Sequence, residues 1–111
     1  MYAFSKNENE ELKFVKSYID SKLVDGVILL VSRHEDKCIK FLKEVEHPFV
    51  VIGRPEDTEN ILWVDNDNFQ AMYNVVNSII QKGHRRIAFI GGPSDRNMSQ
   101  DRLDGYKKAL S

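Results

Sequence analysis

The sequence has one cysteine, Cys38, and no apolar run near the roughly 20 residues that cross a bilayer. A single thiol cannot form a disulfide within the chain, and it fits a reducing compartment. No basic stretch followed by an apolar one opens the sequence, so nothing in it supports export. We therefore expect a soluble protein of the cytoplasm.

Positive and negative charges nearly balance in the sequence. Charged residues make up 30% of the 111 residues, yet the net charge is −1. A surface without a sign bias does not hold nucleic acid or an anionic membrane by itself. The length and the 41% apolar content are enough for one small domain, and there are no internal repeats.

Signatures of catalysis and of metal binding are absent from the sequence. No Ser/His/Asp or Cys/His arrangement can be drawn, and neither G-x-G-x-x-G nor G-x-x-x-x-G-K-[ST] occurs. His84 has no second histidine or cysteine at metal spacing. Cys38 lies on the apolar side of a predicted helix, as a small buried hydrophobe does. We expect no enzyme, no metal and no cofactor.

Short apolar runs bounded by turn residues are what the sequence does contain. They predict parallel strands covered on both faces, at residues 27–31, 49–52, 61–64 and 87–90. Tyr2 and Phe4 lie on alternate positions, as at the end of a further strand.

Helical periods separate these runs, at residues 7–22, 35–46, 67–82 and 99–110. Candidate N-caps are Asn7, Asp67 or Asn68, and Ser99. The second helix is expected to turn Cys38, Phe41, Leu42 and Val45 inward, and Trp63 and Tyr106 are expected in the core. The sequence predicts an α/β fold with a parallel sheet flanked by helices.

Polar residues cluster where the predicted strands end, at residues 32–34, 53–55, 65–68 and 91–97. In open parallel sheets the ligand crevice lies beyond the carboxyl ends of the strands. The carboxylates, amides and arginines of these loops suit a hydroxyl-rich ligand. The alternative is that Asp67 and Asn68 cap a helix, and that Arg54, Arg96 and Arg102 are solvated surface charges.

Residues 83–93 (GHRRIAFIGGP), followed by residues 102–110 (RLDGYKKAL), closely resemble the signature of the LacI/GalR family of bacterial transcription regulators. Residues 23–30 match the "VDGIIL" strand of that family, and Asp67-Asn68 matches the "D-N" before the helix that precedes G-H-R. Residues 48–55 and 64–68 look most like the maltose-type sugar repressors within the family.

The resemblance implies a fragment of a periplasmic-binding-protein-like (type I) sensor domain, in which two α/β subdomains close on a small effector, often a sugar. Residues 1–66 would be the later part of the N-terminal subdomain. Residues 67–111 would begin the C-terminal subdomain with a helix, a strand and a helix. The DNA-binding domain of the family has no counterpart in the sequence, so operator DNA would be bound only through that domain. A homo-oligomer is also implied.

The resemblance also assigns site residues. Arg102 falls on the arginine before L-x-G-[YFW] that contacts effector in many members, and Arg96 lies in the loop that enters the cleft in purine-responsive members. Asp67 and Asn68 fall where the chain crosses between subdomains. Some members have an effector-binding aspartate at the position of Gly53, where its absence leaves Arg54 as the nearby candidate. Ser32, after the first strand, completes the predicted effector site.

Three functions remain open at this point. The first is the effector-sensing part of a transcriptional repressor, acting by ligand-dependent cleft closure. The second is a sugar-binding receptor of a transporter with the same fold. The third is a nucleotide-binding enzyme domain that uses residues 91–97 to hold phosphate. We also expect the isolated chain to self-associate, because a missing first strand would leave a sheet edge unpaired.

Overall fold

The computed structural model describes residues 2–111. Its elements, in chain order, are α1 (Glu8–Asp20), β1 (Val27–Leu29), α2 (Lys37–Glu44), β2 (Phe49–Ile52), β3 (Leu62–Val64), α3 (Asn68–Gln81) and α4 (Asn97–Leu110). The three strands form one parallel sheet in the order β1-β2-β3, as expected for an α/β fold. Of the helices in residues 2–111, none has the length and apolar character that a membrane span requires.

The main core lies between the sheet and the helices α1 and α2. Leu42, Val51 and Cys38 have no exposed surface, and they are surrounded by Val15, Leu29, Ile39 and Ile61. The inward positions Cys38 and Leu42 were predicted from helical spacing. Burial of each large apolar side chain stabilises the fold by about 1.5–3 kcal/mol.

Side-chain caps fix where three of the helices begin, and for α2 the cap is Asp36, whose Oδ1 accepts from the amides of Cys38 and Ile39. Oδ1 of Asn7 accepts a hydrogen bond from the amide of Glu10 at 2.9 Å, and Oδ1 of Asp67 accepts from the amide of Gln70 at 3.0 Å. These caps confirm the predictions for α1 and α3. The prediction for Ser99 was wrong, because α4 already begins at Asn97.

The helices α3 and α4 pack closely against each other and form the second half of the molecule. A Cβ atom at Gly105 would lie 2.3 Å from the carbonyl oxygen of Phe69 and 3.1 Å from Cβ of Met72. The absence of a side chain at Gly105 is therefore what allows α4 to approach α3. Val76, which is 3% exposed, is buried in this half.

Residues 87–90, which we predicted as a buried strand, form no strand in the described part of the chain. The segment contacts α4 instead, since the Tyr106 hydroxyl donates to the Ile87 carbonyl at 2.6 Å and the Phe89 and Tyr106 rings stack at 5.1 Å. Ile90 is 96% exposed. A parallel strand needs a neighbour to accept and donate its backbone hydrogen bonds, and none of β1 to β3 pairs with this segment.

The predicted strand at Tyr2 and Phe4 is also not formed, and both side chains are exposed. The first strand ends at Leu29 rather than at residue 31. Trp63, expected in the core, is 37% exposed. Apolarity alone marked these residues, whereas strand formation and burial depend on partners elsewhere in the chain.

The second helix is shorter than predicted. It begins at Lys37 rather than at Glu35, because Glu35 has a φ of 49° and this left-handed conformation cannot continue a helix. It ends at Glu44, so that Val45 lies beyond it and is 46% exposed instead of inward.

Candidate functional site

Polar side chains from both halves of the molecule meet beyond the carboxyl ends of the three strands. Ser32 follows β1, Arg54 follows β2 and Asp65 follows β3. The first residues of α3 and α4 stand opposite these loops and bond to them. A parallel sheet brings its strand ends to one edge, which explains why residues distant in sequence converge here.

Asn97, the first residue of α4, joins the loops that follow β1 and β2. Its Nδ2 donates to Oγ of Ser32 at 2.9 Å and to the carbonyl oxygen of Arg54 at 3.2 Å. Its backbone amide donates to the Ser32 carbonyl at 3.1 Å. One turn later, Asp101 forms a two-pronged ion pair with Arg54, with Nη2 to Oδ1 at 2.7 Å and Nε to Oδ2 at 3.3 Å.

Asn68 connects the end of β3 with α4. Its Nδ2 donates to both carboxylate oxygens of Asp65, each at 3.2 Å, and its Oδ1 accepts from Nε of Arg102 at 3.0 Å. Only 7% of Asn68 is exposed. The carboxylate on one side and the guanidinium on the other fix the orientation of the amide, because the first can only accept and the second can only donate.

A cavity of about 290 Å³ lies beside this network, lined by His34, Arg54, Glu56, Ser94, Arg96, Asn97, Gln100 and Asp101. His34 Nδ1 and Glu56 Oε1 are paired at its edge. Nε of Arg96 is buried and has no hydrogen-bond partner among residues 2–111. An unpaired buried donor is costly, so Arg96 offers a position at which a ligand oxygen would be stabilised.

Two larger cavities lie elsewhere. One, of about 890 Å³, is lined by residues at the amino-terminal ends of β1 and β2, including Val27, Pro48 and Phe49. Another, of about 630 Å³, lies between α2 and the loop at residues 55–57. The first lies at the opposite end of the strands from the polar network. The second has a charged lining that includes Arg33, Asp36 and Glu56, but no residue of α3 or α4 lines it.

A buried charged cluster next to the site has a structural role. Nη1 of Arg33 bonds to Oε2 of Glu11 at 3.2 Å, and the Arg33 amide donates to Oδ2 of Asp36 at 3.0 Å. Burial opposes the charge of Arg33, but the charge and hydrogen bond of Glu11 raise its pKa above the usual value. These contacts hold the loop between β1 and α2, which carries Ser32, against α1.

Burial is the main cause of the raised pKa values of Asp36 and of Cys38, whose thiol lies beside this cluster. Desolvation raises the pKa of Asp36, although the amides of Ile39 and Arg33 donate to it. Desolvation, followed by the hydrogen bond and charge of Glu11, also raises the pKa of the Cys38 thiol far above its usual value. The ligand atoms of Glu11, Asp36 and Cys38 lie within 4.8 Å of one another. Arg33 already supplies the positive charge there, and a protonated thiol is a poor metal ligand.

Five of the six predicted site residues lie in one region of the structure. Ser32, Arg54, Asn68 and Arg102 belong to the hydrogen-bond network described above, and Arg96 lines the adjacent cavity. Asp67 lies apart from them, because its carboxylate is exposed and caps α3.

The prediction did not include Asn97 and Asp101, which the structure places in this network. Four residues separate them, which places both on one face of α4, and this spacing next to Arg102 is the signal that could have identified them.

Comparison with known proteins identifies the family. Residues 3–111 match the family described as periplasmic binding proteins and sugar binding domain of LacI family. The HTH-type transcriptional regulator MalR of Streptococcus pneumoniae (strain ATCC BAA-334 / TIGR4) is 40% identical over 108 residues, which are 97% of this chain and 33% of MalR. The chain therefore spans about a third of the length of the curated relatives it matches.

Solved structures agree in fold. The crystal structure of a protein assigned as a transcriptional regulator LacI from Bacillus cereus subsp. cytotoxis NVH 391-98 matches with a TM-score of 0.90 and 41% identity, over 97% of this chain and 39% of that one. A complex of the transcriptional regulator CelR with cellobiose matches with a TM-score of 0.79 and 37% identity, over 90% of this chain and 31% of that one. The chain belongs to the family of periplasmic binding proteins and LacI-type sugar-binding domains.

Proposed function

We propose that this chain is part of the effector-sensing region of a LacI-family transcriptional repressor and that its effector is a sugar. Residues 1–66 would form the later part of the N-terminal sensor subdomain, and residues 67–111 the start of the C-terminal one. The effector would bind between them and favour a closed arrangement, so that the protein acts by a shift between conformations and catalyses no reaction.

The polar network across the cleft is the observation that carries this proposal. Ser32 and Arg54 come from the loops after β1 and β2, whereas Asn97 and Asp101 come from α4 on the other side. Hydroxyl, amide, carboxylate and guanidinium groups together can donate to and accept from the hydroxyls of a sugar. Because they come from both halves, a ligand bonded to them would link the halves.

Each predicted site residue has a proposed role in this arrangement. Arg102 and Arg54 would donate to ligand oxygens, and Ser32 would bond a hydroxyl. The buried, unpartnered Nε of Arg96 would meet a further acceptor. Asp67 would act less directly, because its cap fixes the start of α3 and hence the position of Asn68.

The relatives support a sugar effector and a role in transcription. A solved structure holds CelR in complex with cellobiose, and MalR is an HTH-type transcriptional regulator. By the same comparison, operator DNA would be a partner through a DNA-binding domain that is not among these 111 residues. A homo-oligomer acting in the cytoplasm would be the working form of the whole protein.

Isothermal titration calorimetry of the chain against cellobiose, maltose and ATP would test the sugar effector. Heat of binding with either disaccharide, and none with ATP, is the expected result. Binding of ATP without any response to the sugars would contradict the proposal, since it would indicate a nucleotide site. Binding should also depend on the cleft, so that substitution of Arg102, treated in the Discussion, weakens it.

A further inference from the structure

The two halves of the chain are held together by contacts that need no ligand. Residues 32–34 and 95–97 form an antiparallel backbone bridge, in which the His34 amide donates to the Asp95 carbonyl at 2.8 Å and the Asn97 amide to the Ser32 carbonyl at 3.1 Å. The side chain of Asn97 adds its bonds to Ser32 and to Arg54. Groups that could bind a ligand are thus bonded to each other.

The ion pair of Arg54 and Asp101 is the shorter of two ion pairs that join the described halves, since Arg33 Nε lies 3.7 Å from Oδ2 of Asp95. Both nitrogens on one side of the guanidinium donate to the two carboxylate oxygens, and such two-pronged pairs are among the stronger hydrogen bonds in proteins. The Asp101 side chain is only 19% exposed, which limits screening by salt, while Arg54 is 42% exposed. The Arg54 amide also donates to Oδ2 of Asp65 at 3.2 Å, and this bond restrains the backbone that carries the Arg54 side chain.

We propose that Arg54 and Asp101 form an electrostatic latch, which holds residues 1–66 and 67–111 together before any ligand binds. Its consequence for sensing rests on the proposed function, because a ligand that bonds Arg54 must displace Asp101 or share the guanidinium with it. The latch itself requires no ligand and can be tested in the chain alone.

The latch predicts which substitution opens the cleft. Asp101→Ala removes the carboxylate that holds Arg54. Asp104→Ala is the matched control, because Asp104 lies on the same helix and is exposed, and within residues 2–111 its side chain bonds only Gln100, at 2.8 Å. Both substitutions change an aspartate of α4 to alanine, so their effects on helix propensity are alike.

Hydrogen exchange of single amides, measured by NMR, would report on the opening. The amides of His34 and Asn97 cross the junction, and we expect them to exchange about fivefold faster in Asp101→Ala than in Asp104→Ala, as for loss of a partly exposed ion pair. Amides of β2, such as that of Val51, should exchange equally in both variants. Equal exchange of the junction amides in the two variants would overturn the latch. Faster exchange of β2 together with the junction would also overturn it, because the substitution would then destabilise the whole fold.

Two further measurements test whether the attraction between the charges of Arg54 and Asp101, rather than the packing of their side chains, slows junction exchange. Raising the salt concentration should accelerate junction exchange more in the unmodified chain and in Asp104→Ala than in Asp101→Ala, where the Arg54–Asp101 pair is already lost and the Arg33–Asp95 pair, at 3.7 Å, remains. Exchanging the two charges, with Arg54→Asp and Asp101→Arg in one chain, should restore slow exchange at His34 and Asn97. Failure of the charge exchange to restore protection, with β2 still protected, would mean that the pair does not hold the halves together.

Discussion

Nε of Arg102 donates to Oδ1 of Asn68 across 3.0 Å, and this bond fixes the first residue of α3 to the second turn of α4. Asn68 passes the restraint on to Asp65 at the end of β3. Sheet, α3 and α4 are thereby joined through side chains at the edge where the ligand is proposed to bind. Arg102 is exposed, and among residues 2–111 its side chain makes only this hydrogen bond, so its other donors could reach a ligand.

Arg102→Ala should weaken sugar binding by about 1–3 kcal/mol, because the protein loses the guanidinium that would donate hydrogen bonds to the sugar. The unfolding free energy should fall by no more than about 1–3 kcal/mol, because the buried Oδ1 of Asn68 loses its donor but the exposed side chain of Arg102 contributes little packing. Titration calorimetry measures the affinity and thermal unfolding measures the fold. Lys107→Ala is the control, because Lys107 is an exposed cation on the same helix and away from the cleft network. Equal affinity in the two variants would exclude Arg102 from the site.

Gly105→Ala should destabilise the chain by about 1–3 kcal/mol, because the added Cβ would lie 2.3 Å from the Phe69 carbonyl oxygen and force α3 and α4 apart. In a helix without this contact, alanine would instead stabilise by about 1 kcal/mol. The free energy of unfolding, measured in urea, should therefore fall if the added Cβ clashes with α3 and rise if it does not. Gly26→Ala is the control, since its Cβ would lie an ordinary 3.5 Å from the Pro48 carbonyl oxygen.

The sequence predicted the elements whose determinants are local. Periodic apolar residues and the caps at Asn7 and Asp67 identified the helices, and apolar runs between turn residues identified β1 to β3. The prediction failed at residues 87–90, where the run is apolar but no strand lies beside it to complete the backbone hydrogen bonds. Strand formation depends on a partner, and a run of residues does not contain that information.

In the candidate site, too, some features follow from local sequence and others from contacts between distant residues. The placement of Ser32, Arg54 and Asn68 at this edge of the sheet was predictable, because each follows a strand and the ends of parallel strands converge. The spacing that marks Asn97 and Asp101 is local, but their roles arise from contacts with Ser32 and Arg54 that are 65 and 47 residues away in sequence. Only the packing of α4 against the loops brings these groups within bonding distance. The resemblance to the family supplied Arg102, which position after a strand would not have indicated.

Asp36→Asn should change how stability depends on pH. Burial raises the pKa of Asp36 in the folded chain, so above the usual aspartate value of 3.8 the folded state binds the proton more readily than the unfolded state. Ionisation therefore costs stability as the pH rises from 3.8 through the raised folded value. Asparagine can still cap α2 but does not ionise.

The variant should consequently gain stability relative to the unmodified chain as the pH rises across this range, and the difference should then become constant. Urea unfolding at a series of pH values measures it. Asp25→Asn, at an exposed turn, serves as the comparison. A difference between the variant and the unmodified chain that shrinks with rising pH would mean that Arg33 and the backbone donors outweigh burial at Asp36.

The Cys38 thiol should react slowly with thiol reagents while the chain is folded. It has no exposed surface, and burial raises its pKa, with each unit of increase lowering the reactive thiolate fraction about tenfold. We expect the rate at neutral pH to be more than about tenfold below the rate in urea, where the thiol is exposed. Absorbance with a chromogenic disulfide follows the reaction. Equal rates with and without urea would show that the core around Cys38 opens freely.

The isolated chain should self-associate through the uncovered face of its sheet. The register places Ile28, Val50 and Leu62 in one row, with Ile52 and Val64 in the next, and four of these five side chains are exposed. The opposite row, with Leu29 and Val51, is buried under α1 and α2. Contact between two such apolar faces removes both from water and therefore lowers the free energy.

Sedimentation velocity at concentrations on the order of tens of micromolar should therefore show species larger than a monomer. Leu62→Lys, which places a charge in the middle of the face, should shift the population towards monomer, whereas Leu110→Lys on α4 should not. A compact monomer for the unmodified chain would mean that the sheet face is stable in water. Association that persists equally in Leu62→Lys would place the contact on another surface, since a lysine at this position cannot be buried between two apolar sheets without losing its hydration.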